Sequence, residues 1–378
     1  MSGGLSPRAR ASLRAIRAVG TAGALALLLL PSGCASFGPG TVERDRLDYD
    51  HSVAESWKRQ LLLNVVKLRY GDTPLFLDIA SITNSYALET QVQAAATWAD
   101  VVGVGADDSQ ALSAGTRYSD KPTITYSPLT GNRFTKSLMT PVSPAVVLSL
   151  VQAGWSADAV MALMVTSVNG LQNRFAAGGR ARGADVDFYR LTAALRRLQQ
   201  SGAIGMKMQR LEGAEPEVAV LVLTQAAEGD EATQADREEI ARLLGIDASQ
   251  SEMRVVYGSG RGQDGEILMV TRSLLEMLYD LSASAVEVPE MHLAEGRAPP
   301  TRSFPTDPDG GFTPLIRVHT VLEEPEDVFV AIHYRDQWFY IDDRDYRSKA
   351  MFSFLLIITS LTDSDPGKAA PVITIPAG

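Results

Sequence analysis

The chain has 378 residues, 45% hydrophobic and 21% charged, which is globular composition with length enough for two or three domains. Loss of Arg8, Arg10, Arg14 and Arg17 with an N-terminal signal would take its formal charge from −10 to −14. An acidic chain without a basic cluster lacks the Lys and Arg that phosphate contacts require, so nucleic acid is excluded as a partner. The single cysteine, Cys34, excludes an internal disulfide and a cysteine-based metal site.

Taken in order, the first element is RAIRAVGTAGALALLLLPSGCAS, Arg14 to Ser36. The four arginines precede an apolar run from Ala18 to Leu30 that suits a signal peptide and is too short for a transmembrane span. Leu30-Pro31-Ser32-Gly33-Cys34 resembles the lipobox of bacterial lipoproteins, with Pro31 standing where that pattern prefers leucine. The resemblance implies cleavage before Cys34, lipidation there and a stable anchor, since a single acyl chain alone binds membranes only marginally. The alternative is ordinary cleavage after Ala35, giving a soluble periplasmic protein. Ala35 and Ser36 lack the aspartate of the inner-membrane sorting rule, so the expected location is the periplasmic face of the outer membrane.

Residues 1–33 thus read as a signal peptide and 34–49 as a tether. Ser52-Val53-Ala54-Glu55 has the form of a capping box, and Val53, Trp57, Leu61, Val65 and Leu68 form a helical apolar stripe that ends at Gly71. SWKRQLLLNVVKLRYGDTPLFLDIASI, from Ser56 to Ile82, and WFYIDDRDYRSKAMF, from Trp338 to Phe352, resemble a group of proteobacterial lipoproteins without an assigned activity. The resemblance implies an envelope setting and designates no catalytic residue.

Alternation over Leu75 to Trp98 predicts one or two strands with a slip around Ser81 to Asn84. The Gly, Ala, Ser and Asp of 100–120 predict a loop, and 122–126 with 133–139 predict a hairpin. Ser143-Pro144 and Ser156 announce two helices, 145–153 and 157–168. Glycine-rich 175–184 reads as a linker. Beyond it come a helix after Asp185, strands at 205–211 and 217–224, a helix at 234–244, strands at 253–257 and 266–270, and a helix at 273–282. The terminal unit has strands at 312–321, 328–334 and 337–341, a helix from about Asp345 to Leu361, and a short strand within 371–376. The expected class is α+β, with mostly antiparallel sheets, packed helices and two or three subdomains. Its divisions are an N-terminal α+β region with a helical hairpin at 50–174, a central α+β domain at 185–290 and a C-terminal β-hairpin and helix unit at 312–378.

Several motifs invite a chemical reading. Gly260-Arg261-Gly262-Gln263-Asp264-Gly265 matches G-x-G-x-x-G, but a strand follows it and no P-loop lysine is present, so it reads as a hairpin turn. His319 and His333 fall in predicted strands and, with Asp342 or Asp343, could meet as a metal site; the plainer reading is exposed strand histidines. Asp342, Asp343 and Asp345 precede a helix, where carboxylates cap amides. Asp307-Pro308-Asp309-Gly310 lacks a calcium loop's further ligands and reads as a turn. No catalytic signature and no cofactor is expected. Alternation places Trp338 and Tyr340 on one strand face and Phe339 and Ile341 on the other, so one face suits the core and the other, if uncovered, a partner. The leading expectation is a non-catalytic, lipid-anchored envelope protein that binds another envelope protein or a glycan. The alternative is a periplasmic hydrolase or metal-dependent enzyme using His319, His333, Asp342 and Asp343.

Overall fold

The computed structural model describes residues 39–83, 86–97, 109–120, 123–178, 181–209, 218–224, 230–263, 265–305, 311, 313–362 and 372–374. The segment expected as a signal, Cys34 and residues 307–310, expected as a turn, lie outside these. The chain forms two units, Met1–Ala54 and Glu55–Pro376, and the architecture is α+β with mostly antiparallel sheets.

Helix α1 runs over Pro39–Arg69, so 39–49, expected as a tether, is helical. Ser52 lies inside this helix and its hydroxyl donates to the Asp48 carbonyl at 2.8 Å, the back-bond of a mid-helix serine rather than a cap. Within the second unit, Leu61, Leu62, Val65 and Val66 are buried in the core. The opposite ends of two amide side chains then fix the chain after the helix. Asn64 donates to the Leu75 carbonyl and accepts from the Leu75 amide, both at 2.9 Å, and Gln60 brackets Leu77 in the same way at 3.1 and 2.8 Å. Each satisfies one donor and one acceptor that the departing strand would otherwise leave unpaired.

Strands β1 (Leu77–Thr83) and β4 (Thr123–Pro128) pair antiparallel, as do β2 (Tyr86–Thr97) and β3 (Ser109–Asp120). Thr83 lies opposite Thr123 and Tyr86 opposite Asp120, so from Ser81 onward the two ladders share one register, beyond a shift between Ile79 and Ser81. At the base β14 (Val372–Thr374) joins β1 in parallel. Residues 109–120, expected as loop, are therefore strand. Ala, Ser and Gly are weak strand formers, and pairing along the whole of β2 overrides them; 100–108 lie outside the described residues. The hairpin expected from 122–126 and 133–139 is also corrected. β4 finds its partner in β1, whereas α2 (Gly131–Phe134) and a π-helical turn, Thr135–Met139, are helical and bury Leu138.

Helices α3 (Pro144–Gln152) and α4 (Ala157–Met164) follow. The second was expected to reach Val168, but Val165–Val168 is strand β5, as its β-branched residues favour. With β6 (Leu171–Gln172), β7 (Ile204–Gln209), β8 (Val218–Leu223), β9 (Glu252–Tyr257) and β10 (Glu266–Thr271) it builds one sheet of order β6-β5-β10-β9-β8-β7. Helices α5 (Val186–Gln200) and α6 (Glu231–Leu244) supply Leu191, Leu195, Ile240 and Leu244 to the same core. The expected linker at 175–184 is built into the molecule: Ala176 and Ala177 are buried and Phe175 bridges to Arg182.

Between β9 and β10 the structure departs from the hairpin reading, because the two strands run parallel. A period of two marks a strand without giving its direction. The connection from Tyr257 to Glu266 is shorter than the usual crossover of about a dozen residues, and glycine makes it fit. A Cβ on Gly262 would stand 2.2 Å from the Glu266 carbonyl oxygen. The G-x-G-x-x-G pattern therefore records a tight return of the chain.

Helix α7 (Leu274–Ala285) opens with a capping box, Ser273 with Glu276, and α8 (Glu290–Ala294) leads into the last sheet. There β11 (His319–Val321), β13 (Gln337–Asp342) and β12 (Val328–Tyr334) lie in that spatial order. Phe339 and Ile341 are fully buried, as are Phe352, Leu355 and Ile358 of α9 (Tyr346–Thr362).

Candidate interaction surface and polar clusters

The outer face of the β11-β13-β12 sheet carries the nominated histidines. His319 lies opposite Tyr340 and His333 opposite Trp338, so all four share a face. The sheet's central strand and two register positions separate the histidines. Each leans on its aromatic neighbour, His319 to Tyr340 at 5.5 Å and His333 to Trp338 at 5.3 Å between ring centroids. His319 Nδ1 lies 3.1 Å from Glu287 Oε1. Trp338 and Tyr340 are half-buried, and Leu322, just past β11, is 73% exposed. The result is a partly exposed aromatic strip with polar edges.

Asp342 and Asp343 do not join those histidines. An Asp342 oxygen accepts from the Arg344 amide at 2.8 Å, and Asp343 pairs with Lys349 Nζ at 2.6 Å. The helix cap is Asp345, whose carboxylate accepts from the Ser348 amide at 3.1 Å and hydroxyl at 2.7 Å. Among the described residues, no group of three or more His, Cys, Asp or Glu could hold a metal ion.

A second cluster joins three segments far apart in sequence. Tyr70 at the end of α1 meets His292 Nδ1 of α8 through its hydroxyl at 2.7 Å. Its ring makes edge contacts with Tyr334 and Phe339 at 5.8 and 6.1 Å. Tyr334 donates its hydroxyl to the Asp72 carboxylate, and Arg335 Nη2 reaches the same carboxylate at 2.8 Å. Arg335 also lies over Tyr70 at 5.2 Å. Arg335 and Asp336 form the two-residue turn between β12 and β13 with φ of +51° and +60°, a conformation that favours Asn-Gly. The contacts of Arg335 accompany this uncommon backbone.

The electrostatics of this cluster suit a latch rather than catalysis. Burial pushes the Tyr70 phenol up, the opposite of what an activated nucleophile needs. The Tyr334 and Arg335 hydrogen bonds hold Asp72 below the usual carboxylate range. His292 is 1% exposed, and burial, with Arg297 adding to it, lowers its pKa below the ordinary 6.5. Tyr70, Glu295, Arg297, Arg335 and Asp336 are the groups that act on it. A histidine held neutral in the fold but free to protonate when unfolded stabilises the protein above its unfolded pKa, and that contribution falls as pH drops through and below that value. The unfolding free energy from urea titrations should therefore decline between pH 7.5 and 5.5 by up to about 1.4 kcal/mol per pH unit in the wild type, and less in His292→Gln. Equal slopes would refute the assignment; Asp72 titrates below this window.

The third cluster is buried. Asp280 of α7 is 0% exposed and Arg174 and Arg272 are 2% and 1% exposed. Both arginines place Nη1 at 3.4 Å from Asp280 Oδ2, while Asp280 Oδ1 accepts from the Ala176 amide at 2.7 Å. Arg272 also donates to the carbonyls of Ala162 and Leu163 at 3.2 Å. Asn173 reaches the Ala162 and Val165 carbonyls at 3.0 and 2.7 Å. These side chains cap the end of α4, which passes into β5 without a loop to satisfy its last carbonyls.

The core also holds a cavity of about 30 Å³ lined by Leu148, Met161, Leu195, Leu221, Val255 and Met269 among others. It is apolar and far below the volume of a ligand site. Fold and clusters together define an α+β protein whose buried ionisable groups serve structure and whose aromatic strip is partly exposed. No protein-family model, curated protein or solved structure matches the chain.

Proposed function

We propose that this chain is a non-catalytic, lipid-anchored protein of the outer membrane's periplasmic face, with a structural or binding role toward an envelope protein or a glycan. The observation that carries the binding role is the outer aromatic strip. Trp338 and Tyr340, flanked by His319 and His333, combine flat apolar faces with polar edges, the makeup of interface anchors and sugar-stacking platforms. The groups that could do chemistry support the same reading, because Asp342, Asp343, His292 and Asp280 are each committed to a cap, an ion pair or a latch. Cys34, at the end of its apolar run, supports the anchor.

Two measurements test this. Cells grown with a labelled fatty acid should incorporate it into the wild-type chain and not into Cys34→Ala; an unlabelled wild type would overturn the anchor. Affinity capture from solubilised envelopes, and sedimentation with purified peptidoglycan, should recover one stoichiometric partner with the wild type. Trp338→Ala with Tyr340→Ala should lose it while keeping a wild-type circular dichroism spectrum. Undiminished recovery by that double variant would remove the strip from the binding role.

A further inference from the structure

The buried cluster of Arg174, Arg272 and Asp280 is unbalanced in charge. Two guanidiniums meet one carboxylate oxygen, Asp280 Oδ2, each at 3.4 Å, and the three side chains are 2%, 1% and 0% exposed. The further charged groups that act on Arg272 are Glu276 and Arg182, one of each sign. One positive charge is therefore left over.

The hydrogen bonds show the same surplus of donors. Arg174 Nη1 and Nη2 and Arg272 Nε are shut off from water and have no hydrogen-bond partner among the described residues. The contacts with Asp280 Oδ2, at 3.4 Å, are longer than the roughly 2.7–2.9 Å of a charge-assisted hydrogen bond. The other Asp280 oxygen accepts from the Ala176 amide. Nearby acceptors serve other donors. Arg272 reaches the carbonyls of Ala162, Leu163 and Arg174. Asn173 Nδ2 takes those of Ala162 and Val165, its Oδ1 accepts from the Arg174 amide, and its own carbonyl accepts from Arg182 Nε.

A desolvated charge without a counterion is strongly destabilising. A lysine in this position could shed its proton, whereas a guanidinium stays charged. Water would give the spare N–H groups an acceptor and leave the charge uncompensated. A single monovalent anion supplies both the acceptor and the charge. Sulfate or phosphate would bring a second negative charge that nothing in the cluster answers.

We propose that the Arg174 and Arg272 guanidiniums bind one small monovalent anion, chloride in physiological solution, taken up as the chain folds and held beside Asp280. The ion is a structural ligand of the second unit, at the junction of the 173–177 segment with α4 and α7. Neither the lipid anchor nor the aromatic strip enters this assignment.

Because uptake of the ion is coupled to folding, thermal stability should follow chloride. The purified full-length chain is melted in mixtures of sodium chloride and sodium gluconate at constant ionic strength, with circular dichroism as the readout. Raising chloride about fiftyfold should raise the wild-type Tm by at least about 2 °C. Arg174→Met, whose remaining Arg272–Asp280 pair is neutral without an ion, should not respond. Crystals grown in sodium bromide should show an anomalous peak within hydrogen-bond reach of both guanidiniums, a signal that water does not give. Equal chloride responses in the two chains would place the ions on the surface and overturn the proposal. No response in either would overturn it in favour of water or of a carboxylate from the chain itself. A bromide peak without the wild-type response would mean an adventitious ion only, and would overturn it as well. Should Arg174→Met fail to fold, the wild-type response and the bromide peak decide together: both uphold the site, and the lack of either refutes it.

Discussion

Asp280→Asn should lower the stability of the second unit by about 3–5 kcal/mol, although the side chain keeps its shape. Asparagine can still accept the Ala176 amide through its carbonyl oxygen, so the change isolates charge. In the wild type one carboxylate stands between two guanidiniums, all but out of water. Burial already lowers the pKa of Arg272, with Asp280 as the main opposing influence. Removing that carboxylate leaves two like charges desolvated side by side. Arg174→Met is the informative contrast. Arg174 is the second cation on a single carboxylate, and its Nη1 and Nη2 have no hydrogen-bond partner among the described residues. Its replacement leaves the Arg272–Asp280 pair balanced and should be neutral to within about 1 kcal/mol. The double variant should recover part of the Asp280→Asn loss. Urea midpoints at unchanged slope would measure all three; an unaltered midpoint in Asp280→Asn would show that the arginines do not depend on its charge.

Local chemistry explains which parts of this fold were legible in the sequence. The elements from Val186 to Ala285 lie close to where periodicity and caps place them, because each is short, bounded by turn residues and amphipathic. Where propensity and pairing disagree, pairing wins. Ser109–Asp120 looks like loop by composition and is strand because β2 lies alongside. Val165–Val168 looks like the end of a helix and is strand because β10 is its partner. The direction of β10 against β9 was invisible, since a strand's alternation is the same read from either partner.

The clusters were harder, for a geometric reason. Tyr70 and His292 are 222 residues apart, and Asp72 and Tyr334 are 262 apart; none has a neighbour in sequence that hints at the other. Asn173 and Arg174 border a glycine-rich stretch that composition assigns to solvent, yet both are buried, Asn173 because the last carbonyls of α4 need donors and Arg174 beside the Asp280 carboxylate. His319, His333, Asp342 and Asp343 were visible as residue types, but their separation across β13 depends on strand order. What alternation did reveal was the two-faced character of β13, since the period of two is a property of the strand itself.

That two-faced character sets up the other large expected effect. Phe339→Ala should cost about 3–5 kcal/mol. The ring is 0% exposed on the central strand, opposite Ile332 and Thr320, and it meets Tyr70 edge to face at 6.1 Å and 81°. Truncation would empty the space where the sheet meets the end of α1, and the neighbouring strands, tied on both sides by ladder bonds, cannot collapse into it. It would also remove one wall around Tyr70 and so weaken the contact with His292. Phe339→Leu should recover more than half of the loss by refilling most of that volume. Trp338→Ala, one residue away and larger by volume, should cost less than about 1.5 kcal/mol because its half-buried ring lies on the outer face. The order of the two alanine variants is therefore the decisive observation. If Trp338→Ala destabilised the protein as much as Phe339→Ala, the outer strip would be part of the folding core, and its aromatic residues could not be spared for a partner.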